Sequence, residues 1–208
     1  MRPAPSDPPE IEQTLWKDIT GACAWYVGAN TGQSLDQLRR RFNFVVAFEP
    51  AEECWDLLPQ HPDVQVVRMA VSDVNGEILL AAPPSKIATG QLVTPGTWGM
   101  EWDADEPGTM FRTVPARSID TLTETLPPPS FILVDVEGHE AHVLNGAHRT
   151  ISHYRPAWLI EFHTPELHDI IEHHLAANGY HIETIRHPHY QPETHMWWQH
   201  GWIKALPE

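Results

Sequence analysis

Along most of the chain, short continuous apolar runs alternate with stretches in which apolar residues recur every three or four positions. The runs predict strands over Ala22–Val27, Phe44–Phe48, Val64–Ala70, Phe131–Asp135, Ala157–Phe162, Tyr180–Arg186 and Met196–Ala205. The periodic stretches predict helices over Gln33–Phe42, Ala51–Leu58, Ser118–Leu126, His139–His153 and Pro165–Asn178, with a shorter one over Ile11–Ile19. Ser118 is the expected N-cap of its helix. Strand, helix, strand in repetition is the order of a parallel α/β sheet. The last two runs follow each other without a helix, which predicts a closing antiparallel hairpin at the sheet edge.

Two segments break the pattern. Residues 1–10 are rich in proline and read as a disordered leader, which leaves 11–208 as one domain. From Ala81 to Thr113 the periodicity fails, and Pro83-Pro84, Thr94-Pro95-Gly96-Thr97-Trp98-Gly99, Trp102 and Pro107-Gly108 take over. A loop this long in a compact domain is usually functional or disordered, and its tryptophans favour a lid or a wall of a substrate pocket over residues 81–113.

Composition narrows the class. The 208 residues carry a formal net charge of -15 with no lysine or arginine cluster, which argues against a nucleic-acid partner. Cys23 and Cys54 lack the spacing of a metal pair and read as buried, reduced thiols. No apolar run is long enough to cross a membrane, and the first ten residues lack the apolar segment of a signal peptide, so a cytoplasmic protein without a membrane partner is expected. Most of the 14 histidines, including those of the Tyr180–His189 region, are expected on the solvated surface. Nothing in the pattern sets the oligomeric state.

The first apolar run ends in Val27-Gly28-Ala29-Asn30-Thr31-Gly32 and opens into a helix, and the second delivers Glu49 about twenty residues later. Glycines at such a turn admit a ligand to the backbone and tolerate positive φ. A carboxylate at the end of the neighbouring strand can accept hydrogen bonds from both hydroxyls of a ribose. These parts suit an adenosine. A dinucleotide fingerprint would need glycine at Asn30 and Gln33, so a nicotinamide-dependent oxidoreductase fits less well than binding of S-adenosylmethionine, which has no phosphate and tolerates the looser turn.

Farther along, Phe131-Ile132-Leu133-Val134 runs into Asp135-Val136-Glu137-Gly138-His139-Glu140, and Trp158-Leu159-Ile160 runs into Glu161-Phe162-His163. Open α/β sheets bind ligands at the carboxyl ends of their strands, and neighbouring strands would bring these two clusters together.

The Val-Gly-Ala-Asn-Thr-Gly turn, Ala47-Phe48-Glu49-Pro50, Ala70-Val71-Ser72-Asp73 with Gly76 behind it, the Asp-Val-Glu-Gly-His-Glu run and Ile160-Glu161-Phe162-His163 together resemble the FkbM family of S-adenosylmethionine-dependent methyltransferases. The resemblance extends from about Gly21 to Thr164 with the blocks in the family's order. It implies a Rossmann-like class I methyltransferase fold: a seven-stranded, mostly parallel sheet with helices on both faces and a C-terminal antiparallel hairpin. It further implies that Gly28, Ala29, Asn30 and Gly32 line the methionine end of the cofactor, that Glu49 binds its ribose, that Ser72 and Asp73 lie by the adenine, and that Asp135 lies beside the transferred methyl. The implied acceptor is a hydroxyl of a small molecule, natural product or sugar. The family often carries an acid two residues before the first glycine, where this chain has Tyr26.

Methyl transfer to an alcohol requires removal of the alcohol's proton. The available bases are His163, His139, Asp135 and Glu137, with the imidazoles favoured because they titrate near neutrality. Alternatively Asp135, Glu161 and His163 hold a divalent metal such as magnesium that lowers the hydroxyl's pKa. Glu140, in the first turn of a helix, is expected to serve only the helix dipole. His139-Glu140-Ala141-His142 has its histidines three apart, not the four of a zinc protease helix. The run His195–Trp202 is expected to be an edge strand packing on the core. A catalytically inactive cofactor-binding protein of the same fold remains an alternative.

Overall fold

The computed structural model describes residues 15–82, 91–93, 108–186 and 200–208. Seven strands form the main sheet: β1 (Gly21–Val27), β2 (Phe42–Phe48), β3 (Val64–Val67), β8 (Phe131–Val134), β9 (Ala157–Phe162), β10 (Tyr180–Arg186) and β11 (Gly201–Pro207), in the order β10-β11-β9-β8-β1-β2-β3. All pairings are parallel except those of β11, which lies antiparallel between β9 and β10. The expected sheet is present, and its closing hairpin places β10, not the last strand, at the edge. The order reverses between β1 and β8, so the two halves of the sheet diverge from that seam.

Strand residues alternate between two apolar layers. Cys23, Trp25, Val27, Ile132, Val134, Trp158, Ile160 and Phe162 pack on one side with Leu167, Ile171 and Leu175. Ala24, Tyr26, Phe131, Leu133, Ala157 and Leu159 pack on the other with Trp16, Leu35 and Leu38. Burial on both faces is why these strands read as unbroken apolar runs. Tyr26, which replaces the family's frequent acid, is 3% exposed within the second layer. Cys23 and Cys54 are buried and form no disulfide.

Helices are shorter than their periodic stretches. The first, α1, covers only Leu35–Arg39, because Phe42 joins β2 opposite Gly21 and stacks on Phe131 at 5.4 Å. The second, α2, is reduced to Glu52–Trp55. In α3 (Ile119–Leu122), Ser118 is the N-cap, its hydroxyl accepting the Thr121 N–H at 3.2 Å as expected. The stretch from His139 divides into α4 (Glu140–Asn145) and a π-helical turn at Thr150–Tyr154, with Gly146 ending α4. Only α5 (Pro165–Ala176) matches its expectation closely: Thr164 caps it through the Leu167 N–H, Pro165 starts it, and Leu167, Ile171 and Leu175 form its buried stripe.

Sequence periodicity missed a second sheet. The expected strand Val64–Ala70 breaks after Val67, and the chain continues as β4 (Ala70–Val71) in a four-stranded sheet with β5 (Gly76–Ala82), β6 (Gln91–Val93) and β7 (Met110–Arg117), ordered β4-β7-β5-β6. The expected lid over 81–113 thus begins and ends in strands. Trp98 and Trp102 lie outside the described residues, as do the leader, the first four residues of the expected helix over Ile11–Ile19, His187, His189 and Met196–Gln199. No helix among the described residues is long and apolar enough to cross a membrane.

Two contacts join these parts. Gly28, with φ of +84°, brings the backbone leaving β1 so close to β8 that a Cβ there would lie 1.7 Å from the Asp135 carbonyl oxygen. The fully buried His139 ring reaches from the turn after β8 to Ser72, which follows β4, with 2.9 Å between His139 Nε2 and Ser72 Oγ. Ser72 donates its hydroxyl proton to Asp73 at 3.2 Å, so it accepts from His139, whose Nε2 therefore carries hydrogen. Burial, reinforced by nearby His142, pushes the His139 pKa down to about 4.

Two outcomes follow. Gly28→Ala meets both a disfavoured φ and the Asp135 carbonyl, and should cost about 3 kcal/mol or more in urea unfolding. For His139, the unfolded chain binds a proton near pH 6.5 and the folded chain only near pH 4, so its contribution is intact above 6.5 and is lost as pH falls toward 4. That loss is about 3 kcal/mol. Unfolding free energies measured across this window should fall less steeply in His139→Asn than in the unaltered chain.

Candidate active site

The seam between β1 and β8 is the switch point of the sheet, where strand ends diverge and leave a crevice. Gly28, Glu49 and Asp135 follow β1, β2 and β8 on that edge, and Glu161 and His163 lie at the end of β9. Four neighbouring parallel strands thus deliver nearly all the residues singled out in the sequence to one rim.

The turn after β1 is built around a buried carboxylate. Glu49, 6% exposed, accepts the Asn30 N–H on Oε2 and the Ala51 N–H on Oε1, both at 2.7 Å. Its carbonyl accepts the Trp55 indole N–H at 2.9 Å. The Gly28 and Ala29 amides both donate to the Phe48 carbonyl, and Gly32 N–H returns to Ala29. Asn30 has φ of +49°, so the turn holds a non-glycine residue in the left-handed region. Burial raises the pKa of Glu49 above the ordinary carboxylate value, while the two amides oppose the rise. The glycines serve the protein's own packing as well as any ligand: besides Gly28 against Asp135, a Cβ on Gly32, at φ of +86°, would lie 2.8 Å from Pro59 and 2.9 Å from Leu35. The positive φ expected of this turn is present at both glycines.

Beside the turn, Ser72 and Asp73 join the histidines of the next segment. Asp73 Oδ2 lies 2.9 Å from His142 Nδ1, and the His139 and His142 rings stack with centroids 4.5 Å apart. Burial acts to raise the Asp73 pKa, but His142 outweighs it and holds the carboxyl below its usual value. His139 faces this network with no exposed surface. No acceptor can reach its ring in this conformation, which removes the physical basis for His139 as the base.

The third group converges on one imidazole. His163 Nε2 lies 3.8 Å from Asp135 Oδ1, 3.7 Å from Glu137 Oε2 and 3.9 Å from Glu161 Oε1. Its Nδ1 is 2.9 Å from Glu140 Oε1, which also accepts the Gly138 N–H at 3.0 Å. Burial disfavours a charged ring, but Glu140, Glu137 and Glu161 overcome it and hold the His163 pKa well above that of an ordinary imidazole. Burial likewise acts to raise Glu140, and His163 prevails to hold it low. Left with only these neighbours, His163 keeps its proton, so a bare-imidazole base does not fit its surroundings. Asp135, Glu161 and His163 offer ligand atoms all within 4.8 Å of one another. Glu137 has φ of +53°, a left-handed position that turns its carboxylate toward the same ring.

Glu140 is the residue that sequence reasoning passed over. It is in the first turn of α4, as expected, but it is fully buried and holds His163 from behind, which dipole stabilisation alone does not explain. The signal was its place in a run of acids that ends a strand beside another strand ending in histidine.

The sequence profile of the methyltransferase FkbM domain matches residues 27–182. Over 129 residues the chain is 34% identical to a hexuronic acid methyltransferase, AglP, of Haloferax volcanii, a match covering 59% of this chain and 48% of that protein. The chain thus spans about half the length of that relative. Among solved structures, a methyltransferase FkbM from Methylobacillus flagellatus superposes with a TM-score of 0.56 at 19% identity, covering 88% of this chain and 43% of that one. A protein of Streptococcus mutans, described as a methyltransferase and solved in complex with SAH, superposes with a TM-score of 0.51 at 10% identity, covering 95% and 97%. These two superpositions establish the class I methyltransferase fold; with the profile covering most of its length, the chain belongs to the FkbM family of methyltransferases.

Proposed function

We propose that the protein transfers a methyl group from S-adenosylmethionine to a hydroxyl of a sugar or similar small molecule. The observation that carries this reading is the delivery of Gly28, Glu49, Asp135 and His163 to one rim by four adjacent strands.

The residues present fit the cofactor. A carboxylate has about four lone-pair positions, and the amides of Asn30 and Ala51 occupy two at Glu49, leaving two for ribose hydroxyls. Those amides also fix the direction in which the remaining lone pairs point, so little ordering is left for the ligand to impose. Gly28, Ala29, Asn30 and Gly32 would hold the methionine end, Ser72 and Asp73 the adenine side, with Asp135 beside the methyl. When bound, the cofactor supplies a methyl on a positively charged sulfur. Around it, Asp135 and Glu137 are the partly exposed carboxylates able to accept a hydroxyl proton, and Asp135, Glu161 and His163 form the set that would hold a divalent metal. A glycan acceptor is supported by the family and by the relative named for hexuronic acid.

Isothermal titration should show S-adenosylmethionine binding, with no comparable affinity for nicotinamide nucleotides. Glu49→Gln should weaken it about tenfold or more, because a charge-assisted bond to a hydroxyl contributes about 1.5–3 kcal/mol. Absence of binding by the unaltered chain contradicts the cofactor assignment. With a radiolabelled methyl donor, label should enter glycosides or uronic acids as an ether; cofactor binding without label in any hydroxyl acceptor would favour the inactive binding-protein reading.

A further inference from the structure

The rim gathers acids and an imidazole into one cluster. Four carboxylates, those of Asp135, Glu137, Glu140 and Glu161, surround the single imidazole of His163. Like charges this close repel one another, and a cation among them relieves that repulsion.

The arrangement is directional. Glu140 Oε1 lies behind Nδ1 at 2.9 Å and keeps a proton on Nδ1, so a cation that displaces the ring's second proton meets the Nε2 lone pair facing Asp135 and Glu161. A carboxylate holding the far nitrogen of a histidine is the standard support for a metal-ligating imidazole, since it sets the tautomer, orients the ring and raises its basicity. Independently of the acids on the rim, this support is a fully buried carboxylate whose second oxygen, Oε2, has no hydrogen-bond partner among the described residues. A buried, half-satisfied carboxylate is expensive unless the group it holds is itself bound to positive charge. Distances of 3.8 and 3.9 Å from Nε2 to Asp135 Oδ1 and Glu161 Oε1 are too long for hydrogen bonds. They need to contract by only about 0.5–1 Å to suit ligands about 2.1 Å from a common centre.

We propose that Asp135, Glu161 and His163 Nε2 bind a divalent cation of intermediate hardness, Mn²⁺ being the type, and that Glu140 is the positioning residue that holds His163 as its ligand. One imidazole with two carboxylates suits an ion that accepts both nitrogen and oxygen, whereas Mg²⁺ and Ca²⁺ prefer oxygen alone. Three protein ligands leave coordination positions open for an acceptor's hydroxyl, and an ion there acidifies that hydroxyl. Glu137, 3.7 Å from Nε2 but outside the three residues whose ligand atoms all lie within 4.8 Å of one another, is placed to accept the released proton. The hydroxyl's role in this account rests on the methyltransfer reading; the ion's binding does not.

The test is Mn²⁺ binding to the full chain without acceptor, followed by loss of the free-ion paramagnetic resonance signal, with Mg²⁺ as competitor. The expected result is one Mn²⁺ per chain, displaced only by a large excess of Mg²⁺. Asp135→Asn should abolish binding, and Glu140→Gln should weaken it about 10- to 100-fold. His168→Gln, in the surface cluster of His168, Asp169 and Glu172, should leave it unchanged. Circular dichroism and cofactor titration on each variant separate lost ligation from lost folding. Failure of Mn²⁺ to bind, equal binding by Asp135→Asn, or loss only with His168→Gln overturns the proposal, as does tighter binding of Mg²⁺. Cofactor binding with no Mn²⁺ binding would reject the cation alone; Mn²⁺ binding with no cofactor binding would reject the methyltransfer reading and leave the cation site standing.

Discussion

Everything at the rim depends on how closely two parallel strands run at the point where they part. The amide of Asp135 still donates to the Val27 carbonyl at 3.0 Å, and one residue on, the hydrogen of Gly28 occupies space that a methyl group could not. The seam therefore stays closed to the last residue of β1 and β8, then opens abruptly. That parting sets the Glu49 turn on one side and the His163 cluster on the other. A looser seam would separate the two halves of the proposed reaction, with a methyl donor held over β1 and β2 and an acceptor held over β8 and β9.

The two halves handle buried charge in opposite ways. Glu49 is neutralised by geometry: two short backbone hydrogen bonds make it a fixed acceptor, and the same bonds hold the turn that would contact the cofactor. The cluster around His163 gathers four carboxylates about one ring, and its supporting residue, Glu140, is buried with one oxygen that has no hydrogen-bond partner among the described residues. The first arrangement suits a ligand recognised by shape and hydroxyl groups. The second suits one whose charge completes it. Between them, Ser72 and His139 tie the small sheet to the rim through a neutral, buried hydrogen bond, so the wall formed by β4, β5 and β7 is held in place by a polar contact as well as by its own apolar cluster.

What was legible in the chain follows from how each element is stabilised. Strands buried on both faces announce themselves as unbroken apolar runs, and β1, β2, β8 and β9 were readable within two residues at either end. The hairpin was readable because no helical period separates its strands. The second sheet was not, because β5 and β7 leave apolar residues such as Leu79, Met110 and Phe111 exposed, and their pairing spans a long stretch without periodicity. Helices were overextended where tertiary contacts, such as Phe42 on Phe131, drew residues into strands. At the rim, chemical type revealed Glu49, Asp135, Glu161 and His163. Partnership was hidden: only coordinates place His139 toward Ser72 and Glu140 toward His163, since helical turns and strand ends meet by packing that no local spacing records.

The central claim is that the carboxyl ends of β1, β2 and β8 act as one binding edge for S-adenosylmethionine. Amide hydrogen exchange with and without the cofactor tests it directly. The account predicts slowed exchange confined to residues 28–32, 49–51, 72–73 and 135–139, with α5 and β10 unaffected. Protection absent from the turn after β1, or concentrated on the far side of the sheet, would contradict it.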